Sequence, residues 1–161
     1  MSVRDRGADA SLRGGETSTA SDAQALAEQS VAMLYDRDRA SQALGMKIVE
    51  AAPGRAKVAM TVRRDMLNGH EICHGGLIFT LADSAFAFAC NSHNVSTVAA
   101  GATIDFLAPA REGDELVAEA VEYWRSKRTG LYEITVTTAQ GQRIAVFRGR
   151  SHSLGRPVLD T

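Results

Sequence analysis

The sequence predicts an α+β fold in which an antiparallel sheet packs against one long buried helix. Residues 75–91 contain no proline and would place apolar side chains around most of a helical circumference, a pattern typical of a helix in the core. Four strand-like segments follow, separated by short breaks, and this spacing favours antiparallel pairing. A mostly antiparallel sheet needs an apolar layer over one face, and the helix is the natural candidate.

Two segments precede the sheet. Residues 1–22 are rich in Ser, Gly, Ala, Arg and Asp and have few side chains to bury, so we expect a disordered tail. A helical pattern begins near Ser21 and continues to Gly45, a residue type that commonly ends helices, and we interpret it as a packing helix. The length of 161 residues fits one domain, which we place at residues 23–155.

The strands are predicted from alternating apolar residues and turn residues. Residues 46–63 indicate two strands hinged at Pro53 and Gly54, a common turn pair. A polar loop that contains Asn68 and Gly69 leads into the buried helix. The later strands are expected at about residues 95–108, 115–125, 130–139 and 142–153.

Composition excludes several classes of partner. The net charge of −1 gives no electrostatic basis for binding nucleic acid or an anionic membrane. Cys73 and Cys90 are too few for a disulfide framework and indicate a reducing compartment. The sequence contains no apolar run of membrane-spanning length and no secretory signal pattern, so we expect a cytoplasmic protein.

Two chemical features lie on the buried helix. Asp83 is its only formal charge, and a carboxylate in an apolar setting is costly unless it is hydrogen-bonded, paired or partly hydrated, which makes it a functional candidate. The helix begins with Gly75 and Gly76, whose missing side chains let another molecule approach the backbone N–H groups closely. One helix thus offers N–H donors at its tip and a carboxylate two turns further on.

The order of elements and these motifs resemble the hot-dog fold, in which a curved antiparallel sheet wraps around a central helix. The sequence is similar to the PaaI branch of the acyl-CoA thioesterases over about residues 40–153. The matching motifs are Asn68-Gly69-His70, His74-Gly75-Gly76, Leu81-Ala82-Asp83-Ser84-Ala85, Thr103-Ile104-Asp105-Phe106-Leu107 and Val146-Phe147-Arg148-Gly149. The resemblance implies a thioester hydrolase that cleaves phenylacetyl-CoA, its ring-hydroxylated forms or related acyl-CoA esters, with no cofactor and no metal.

The chemistry of the reaction assigns roles to two residues. Thioester hydrolysis needs a polarised carbonyl group and a carboxylate that attacks it or activates water. The Gly75 N–H can provide the first and Asp83 the second, with direct attack and water activation both open.

At about 1.5 Å rise per residue, Gly75 and Asp83 lie roughly 12 Å apart along the helix axis. Either the substrate reaches only one of them, or Gly75 of one subunit works with Asp83 of another in a two-fold dimer. The resemblance implies this dimer, and pairing of dimers into tetramers.

Five further residues are candidates for the site. The Asn68 amide can donate to a carbonyl group or position a water, although Asn-Gly is also a frequent turn pair. His74 can contact substrate or fix the loop, and Gly76 leaves room for substrate at the helix start. Ser84 can border the site or face the core, and Phe106 can line a space for the acyl group.

Water positioning and CoA recognition are less determined by the sequence. Some related thioesterases carry a Ser or Thr on the strand that faces the acid, whereas residues 98–102 contain no hydroxyl group. This leaves water positioning to Asn68 or Thr97, or indicates direct attack by Asp83. CoA carries phosphates, for which the best basic candidates are Arg128 and Arg150.

Three alternatives deserve comparison with a thioesterase. A regulatory module that binds acyl-CoA without turnover would be expected to carry a DNA-binding extension or to lack the acid. A hydratase or dehydratase on the same fold would use an acid–base pair such as His74 and Asp83. A zinc site at His70, Cys73 and His74 lacks a fourth ligand at a usual spacing.

Overall fold

The computed structural model describes residues 14–159, with side chains from residue 19 onward. All six strands pair antiparallel in one sheet of order β1-β2-β4-β5-β6-β3, which confirms the predicted α+β class. The elements are α1 (Gly14–Arg37), α2 (Arg39–Ala43), β1 (Lys47–Ala52), β2 (Arg55–Thr61), a 3-10 turn (Arg64–Met66), α3 (Gly75–Asn91), β3 (Thr97–Phe106), β4 (Glu115–Arg125), β5 (Thr129–Thr138) and β6 (Arg143–Ser153).

The core lies between α3 and one face of the sheet. Side chains alternate along β2, β5 and the first half of β4, so that every second residue there is buried and faces the helix. Burial of these apolar surfaces is the main favourable contribution to folding. The α3 side chains in this core, each at most 1% exposed, are Leu81, Ala82, Ala85, Phe86 and Ala89. The predicted buried helix and the predicted strand segments are confirmed.

The N-terminal region differs from its prediction. Helix α1 begins at Gly14, so residues 14–22, which the sequence assigns to a disordered tail, are helical, while residues 1–13 lie outside the described part. The helix is anchored further along by Ala27 and Val31, which are buried, and it can propagate toward its start from this anchored segment. None of the helices within residues 14–159 combines the length and apolar character that a membrane crossing requires.

The predicted packing helix is also divided in two. Helix α1 ends at Arg37 and α2 starts at Arg39. Asp38 between them caps α2, because its carboxylate accepts a hydrogen bond from the Ser41 N–H at 2.9 Å. Gly45 follows with φ +70°, a left-handed conformation that suits glycine and ends the helical segment where the sequence predicts.

The sheet approaches α3 closely at Gly149 on β6. A Cβ atom at this position would lie 2.8 Å from the ring of Phe86, which real side chains do not tolerate. That ring is fixed in turn by Tyr132 and Phe147, whose centroids lie 5.3 and 5.9 Å away. Glycine is therefore needed at the contact between β6 and the helix.

We expect Gly149→Ala to lower the free energy of unfolding by about 1–3 kcal/mol, because the added methyl group overpacks the Phe86 ring. Gly101→Ala on β3 is the matched control, since its nearest contact is the flexible end of Arg150 at 3.4 Å. Urea unfolding of both variants measures the difference. Equal stability of the two variants would show that the close approach at Gly149 is not a constraint on packing.

Candidate active site

Asp83 lies on the one face of α3 that is not fully buried. Gly76, Thr80, Asp83 and Ala87 are spaced three or four residues apart and so share one side of the helix. Gly76 is exposed and the other three are half-buried. The Thr80 hydroxyl donates to the Gly76 carbonyl at 2.8 Å, and not to the Asp83 carboxylate. A ligand can therefore reach Asp83 from outside the sheet-covered core.

The Asp83 carboxylate has no hydrogen-bond donor and no cation among residues 19–159. Burial raises its pKa, and the negative charge of Asp38 raises that pKa further. The interpretation of Asp83 as half of a structural ion pair is thereby excluded for the described side chains. An unpaired carboxylate with a raised pKa is a stronger base than one exposed to water.

The start of α3 presents a free N–H group. His74 is the N-cap, with its Nδ1 accepting from the Gly76 N–H at 3.0 Å, and its carbonyl accepts from the Leu77 N–H at 2.9 Å. The Gly75 N–H, by contrast, has no acceptor within residues 14–159. This N–H and the positive end of the helix dipole can stabilise a developing oxyanion. Of the two roles open for His74, the structure shows the one that fixes the loop.

Phe106 stands beside this helix start. A Cβ atom at Gly75 would lie 3.0 Å from the Cζ atom of the Phe106 ring, so the two residues are in close contact. The ring is half-exposed and belongs to the end of β3. Phe106 thus provides an apolar wall next to Gly75, and its predicted role of lining a space for the acyl group stays a prediction.

Asn68 combines a turn role with a free donor. Its Oδ1 accepts from the backbone N–H of His70 at 2.9 Å and of Ile72 at 3.4 Å, which folds the loop before α3. The loop is joined to the helix start by the His74 N–H, which donates to Met66 at 2.8 Å. The Asn68 side-chain N–H groups have no acceptor in the described part of the chain. They remain available to a substrate oxygen or a water molecule.

Ser84 does not share the open face with Asp83. Its hydroxyl lies 2.8 Å from the hydroxyl of Ser41 on α2, and the residue is buried. Successive helical residues point about 100° apart, so the two neighbours face different surroundings. Of the two positions that the sequence allows for Ser84, the structure shows the buried one, in contact with α2, and not one that borders the open face. Sequence reasoning missed Asp38 and Ser41, whose only local pattern is that of a helix cap.

The two basic candidates lie away from the open face of α3 that carries Asp83. Arg150 points outward from β6 and lines a groove of about 520 Å³ together with Arg148, Tyr123 and Leu131. Arg128 lies in the turn between β4 and β5, beside a separate pocket of about 200 Å³. The structure does not bring either arginine next to Asp83.

Strand β3 is an edge strand of the sheet. It pairs with β6 on one side only, and no strand of residues 14–159 covers its other side. Most of its residues are exposed, including Val98 at 46% and Phe106 at 52%, and Leu107 just beyond it is 55% exposed. The unpaired backbone groups of a long apolar edge strand can pair with a strand of another chain.

Known proteins similar to this chain include thioesterases. Residues 70–145 match the Thioesterase superfamily model. The chain is 46% identical over 130 residues to the acyl-coenzyme A thioesterase PaaI of Escherichia coli strain K12, which covers 81% of this chain and 93% of that protein.

Solved structures give the same result. The E. coli PaaI protein from the phenylacetic acid degradation operon superposes with a TM-score of 0.82 at 45% identity, over 83% of this chain and 97% of that one. The smu.793 protein from Streptococcus mutans UA159 bound to acetyl CoA superposes with a TM-score of 0.67 at 25% identity, over 70% and 90%. Asp83, Gly75 and Phe106 all lie within the residues that match the family model.

The capping role of His74 predicts a specific pattern of stability. His74→Ala should lower the free energy of unfolding by about 1 kcal/mol, whereas His74→Asn should largely retain it, because Asn also caps helices well. Urea unfolding provides the measurement, and His70→Ala, an exposed histidine of the same loop, is the control. Equal losses for the Ala and Asn variants would exclude capping as the role of His74.

Proposed function

This chain belongs to the thioesterase superfamily and is a thioester hydrolase with the hot-dog fold that its sequence predicts, and we propose that it hydrolyses phenylacetyl-CoA and ring-hydroxylated phenylacetyl-CoA at sites shared between two subunits. The observation that carries the proposal is the unpaired, half-buried Asp83 on the accessible face of α3. The substrate class follows the E. coli relative, whose operon degrades phenylacetic acid. The aromatic wall at Phe106 is compatible with an aryl group.

The proposed reaction uses backbone and side-chain groups only. The Gly75 N–H, with the Asn68 amide as a second donor, stabilises the oxygen of the thioester carbonyl as it gains negative charge. Asp83 either attacks the carbonyl carbon and forms an anhydride that water hydrolyses, or removes a proton from the water that attacks. The CoA thiolate leaves in both routes and takes up a proton, and the other product is the free acid. No metal or cofactor is needed for these steps.

The length of the helix supports the proposal of a shared site. Helix α3 is continuous from Gly75 to Asn91, which supports a separation of about 12 Å between Gly75 and Asp83 of one chain. Both groups reach one carbonyl carbon only if they come from different chains. The open edge of β3, which ends beside Gly75 at Phe106, supports pairing with a second copy about a two-fold axis. We further propose that such dimers pair into tetramers, as the resemblance implies.

The proposal places CoA recognition at basic residues outside the helix face. Arg150, which lines the outer groove with Arg148 and Tyr123, and Arg128 at the neighbouring turn are the groups proposed to bind its phosphates. The S. mutans neighbour binds acetyl CoA on a related fold. We place the reaction in the cytoplasm, which suits two buried free cysteines, Cys73 and Cys90, whose burial raises their thiol pKa values to about 11 and about 12.

A hydrolysis screen tests the proposed function. Purified protein is incubated with phenylacetyl-CoA, ring-hydroxylated phenylacetyl-CoA, benzoyl-CoA and straight-chain acyl-CoAs, and released thiol is measured. We expect the highest kcat/KM with phenylacetyl-CoA and ring-hydroxylated phenylacetyl-CoA. Fastest turnover of a straight-chain ester would overturn the substrate class, and binding without thiol release from any ester would favour the regulatory module.

Asp83→Asn should separate catalysis from stability. We expect kcat to fall by about 10²–10⁴-fold with KM little changed, since a neutral amide can neither attack nor accept a proton. The raised pKa means that the folded state binds a proton more readily than the unfolded state, so ionised Asp83 costs stability once the pH exceeds both pKa values. The variant should therefore be at least as stable as the wild type in urea at pH 7.5. Unchanged kcat would remove Asp83 from the mechanism.

A further inference from the structure

A chain of polar contacts runs from the junction of α1 and α2 to the residue next to Asp83. The Asp38 carboxylate accepts hydrogen bonds from the Ser41 N–H at 2.9 Å and from the Ser41 hydroxyl at 2.5 Å. The Ser41 hydroxyl lies 2.8 Å from that of Ser84. Ser41 is 1% exposed and Ser84 9%, so the contact between the two serines is buried, whereas the contacts of Asp38 are partly buried. They fix Asp38 relative to the turn of α3 that carries Asp83.

Asp38 is the charged group that acts on Asp83. Its negative charge raises the pKa of Asp83 in addition to burial. The Cys90 thiol on α3 also interacts with Asp83, but its pKa of about 12 keeps it neutral at physiological pH. No cation of residues 19–159 on α1, α2 or the strands packed against α3 interacts with the Asp83 carboxylate to offset this repulsion.

Helix capping alone does not require a carboxylate at this position. Ser, Thr and Asn cap helices about as well as Asp, and α2 has only five residues to stabilise. A second negative charge near a half-buried carboxylate costs free energy in the folded state when both groups are ionised. Such an arrangement is typical of sites where reactivity, rather than stability, sets the residue type.

We propose that Asp38 is a positioning residue of the thioesterase reaction, acting on Asp83 through its charge and through the Ser41–Ser84 contact that holds α2 against α3. The inference rests on the proposed function of Asp83. In the reactant state Asp38 repels the full negative charge of the Asp83 carboxylate. As Asp83 attacks or takes up a proton, that charge moves to the thioester oxygen and away from Asp38. The repulsion is thus weaker in the transition state, which accelerates the reaction.

Asp38 and Ser41 lie before the region that the family model matches. The family model begins at residue 70, about thirty residues further along the chain. The α1–α2 segment nevertheless contacts α3 at the turn that carries the acid. The α1–α2 segment is therefore assigned to the active site, because it sets the reactivity of Asp83. Its role is not limited to packing against the sheet edge.

Asp38→Asn tests this assignment, because Asn keeps the helix cap and removes the charge. We expect the acid limb of the kcat–pH profile to move to lower pH, and kcat on the plateau to fall by up to about tenfold with KM little changed. A ¹³C carboxyl NMR titration of Asp83, assigned with Asp83→Asn, should move in the same direction. Asp36→Asn, an exposed carboxylate two residues earlier with the same change in net charge, should move neither.

Each outcome separates this inference from the proposed function. An Asp83 titration that is unmoved in an active Asp38→Asn variant would overturn the role of Asp38 alone, as would a shifted titration with an unchanged kinetic profile. Absence of thiol release by the wild type would instead refute the proposed function. Asp38→Ser provides a second neutral capping variant, and it should reproduce the shifts if Asp38→Asn folds poorly.

Discussion

The fold depends on apolar burial around α3, and that burial is large enough to leave one ionisable carboxylate on the remaining open face of the helix. The sheet covers α3 with apolar side chains, and Gly149 lets it approach the Phe86 ring closely. Only the face with Asp83 is left open, and no described cation neutralises the acid there. The free energy that this arrangement costs is small against the apolar burial on the opposite face of the same helix, which is why the fold can tolerate it.

At the start of α3, some hydrogen-bonding atoms hold the local structure and others stay available to a substrate. His74 uses Nδ1 to cap the helix, and Asn68 uses Oδ1 to close the preceding turn. The Gly75 N–H and the Asn68 amide N–H groups are left without acceptors in the described part of the chain. The local structure thus fixes donors in place before any substrate arrives, which is the preorganisation that stabilisation of an oxyanion requires.

Sequence patterns predicted the parts of the structure that depend on local periodicity. The core helix, the turn at Gly54 and the six strands follow from apolar spacing and turn residues. The division of the N-terminal helix at Asp38 and the start of α1 at Gly14 were not predicted, because the helical pattern continues across Asp38 and residues 14–22 contain few apolar side chains. The contact of Ser84 with Ser41 and the effect of Asp38 on Asp83 join residues more than forty positions apart, for which a single sequence carries no pattern.

The central claim, that one subunit supplies the acid and its partner the N–H donor, is tested most directly by subunit complementation. Gly75→Pro deletes the N–H while proline suits the first position of a helix, and Asp83→Asn deletes the acid. Each variant alone should be nearly inactive. Random pairing of the two in co-expressed dimers should restore about a quarter of the wild-type turnover, because half the dimers then contain one intact site of two. Turnover no higher than that of the separate variants would contradict a shared site.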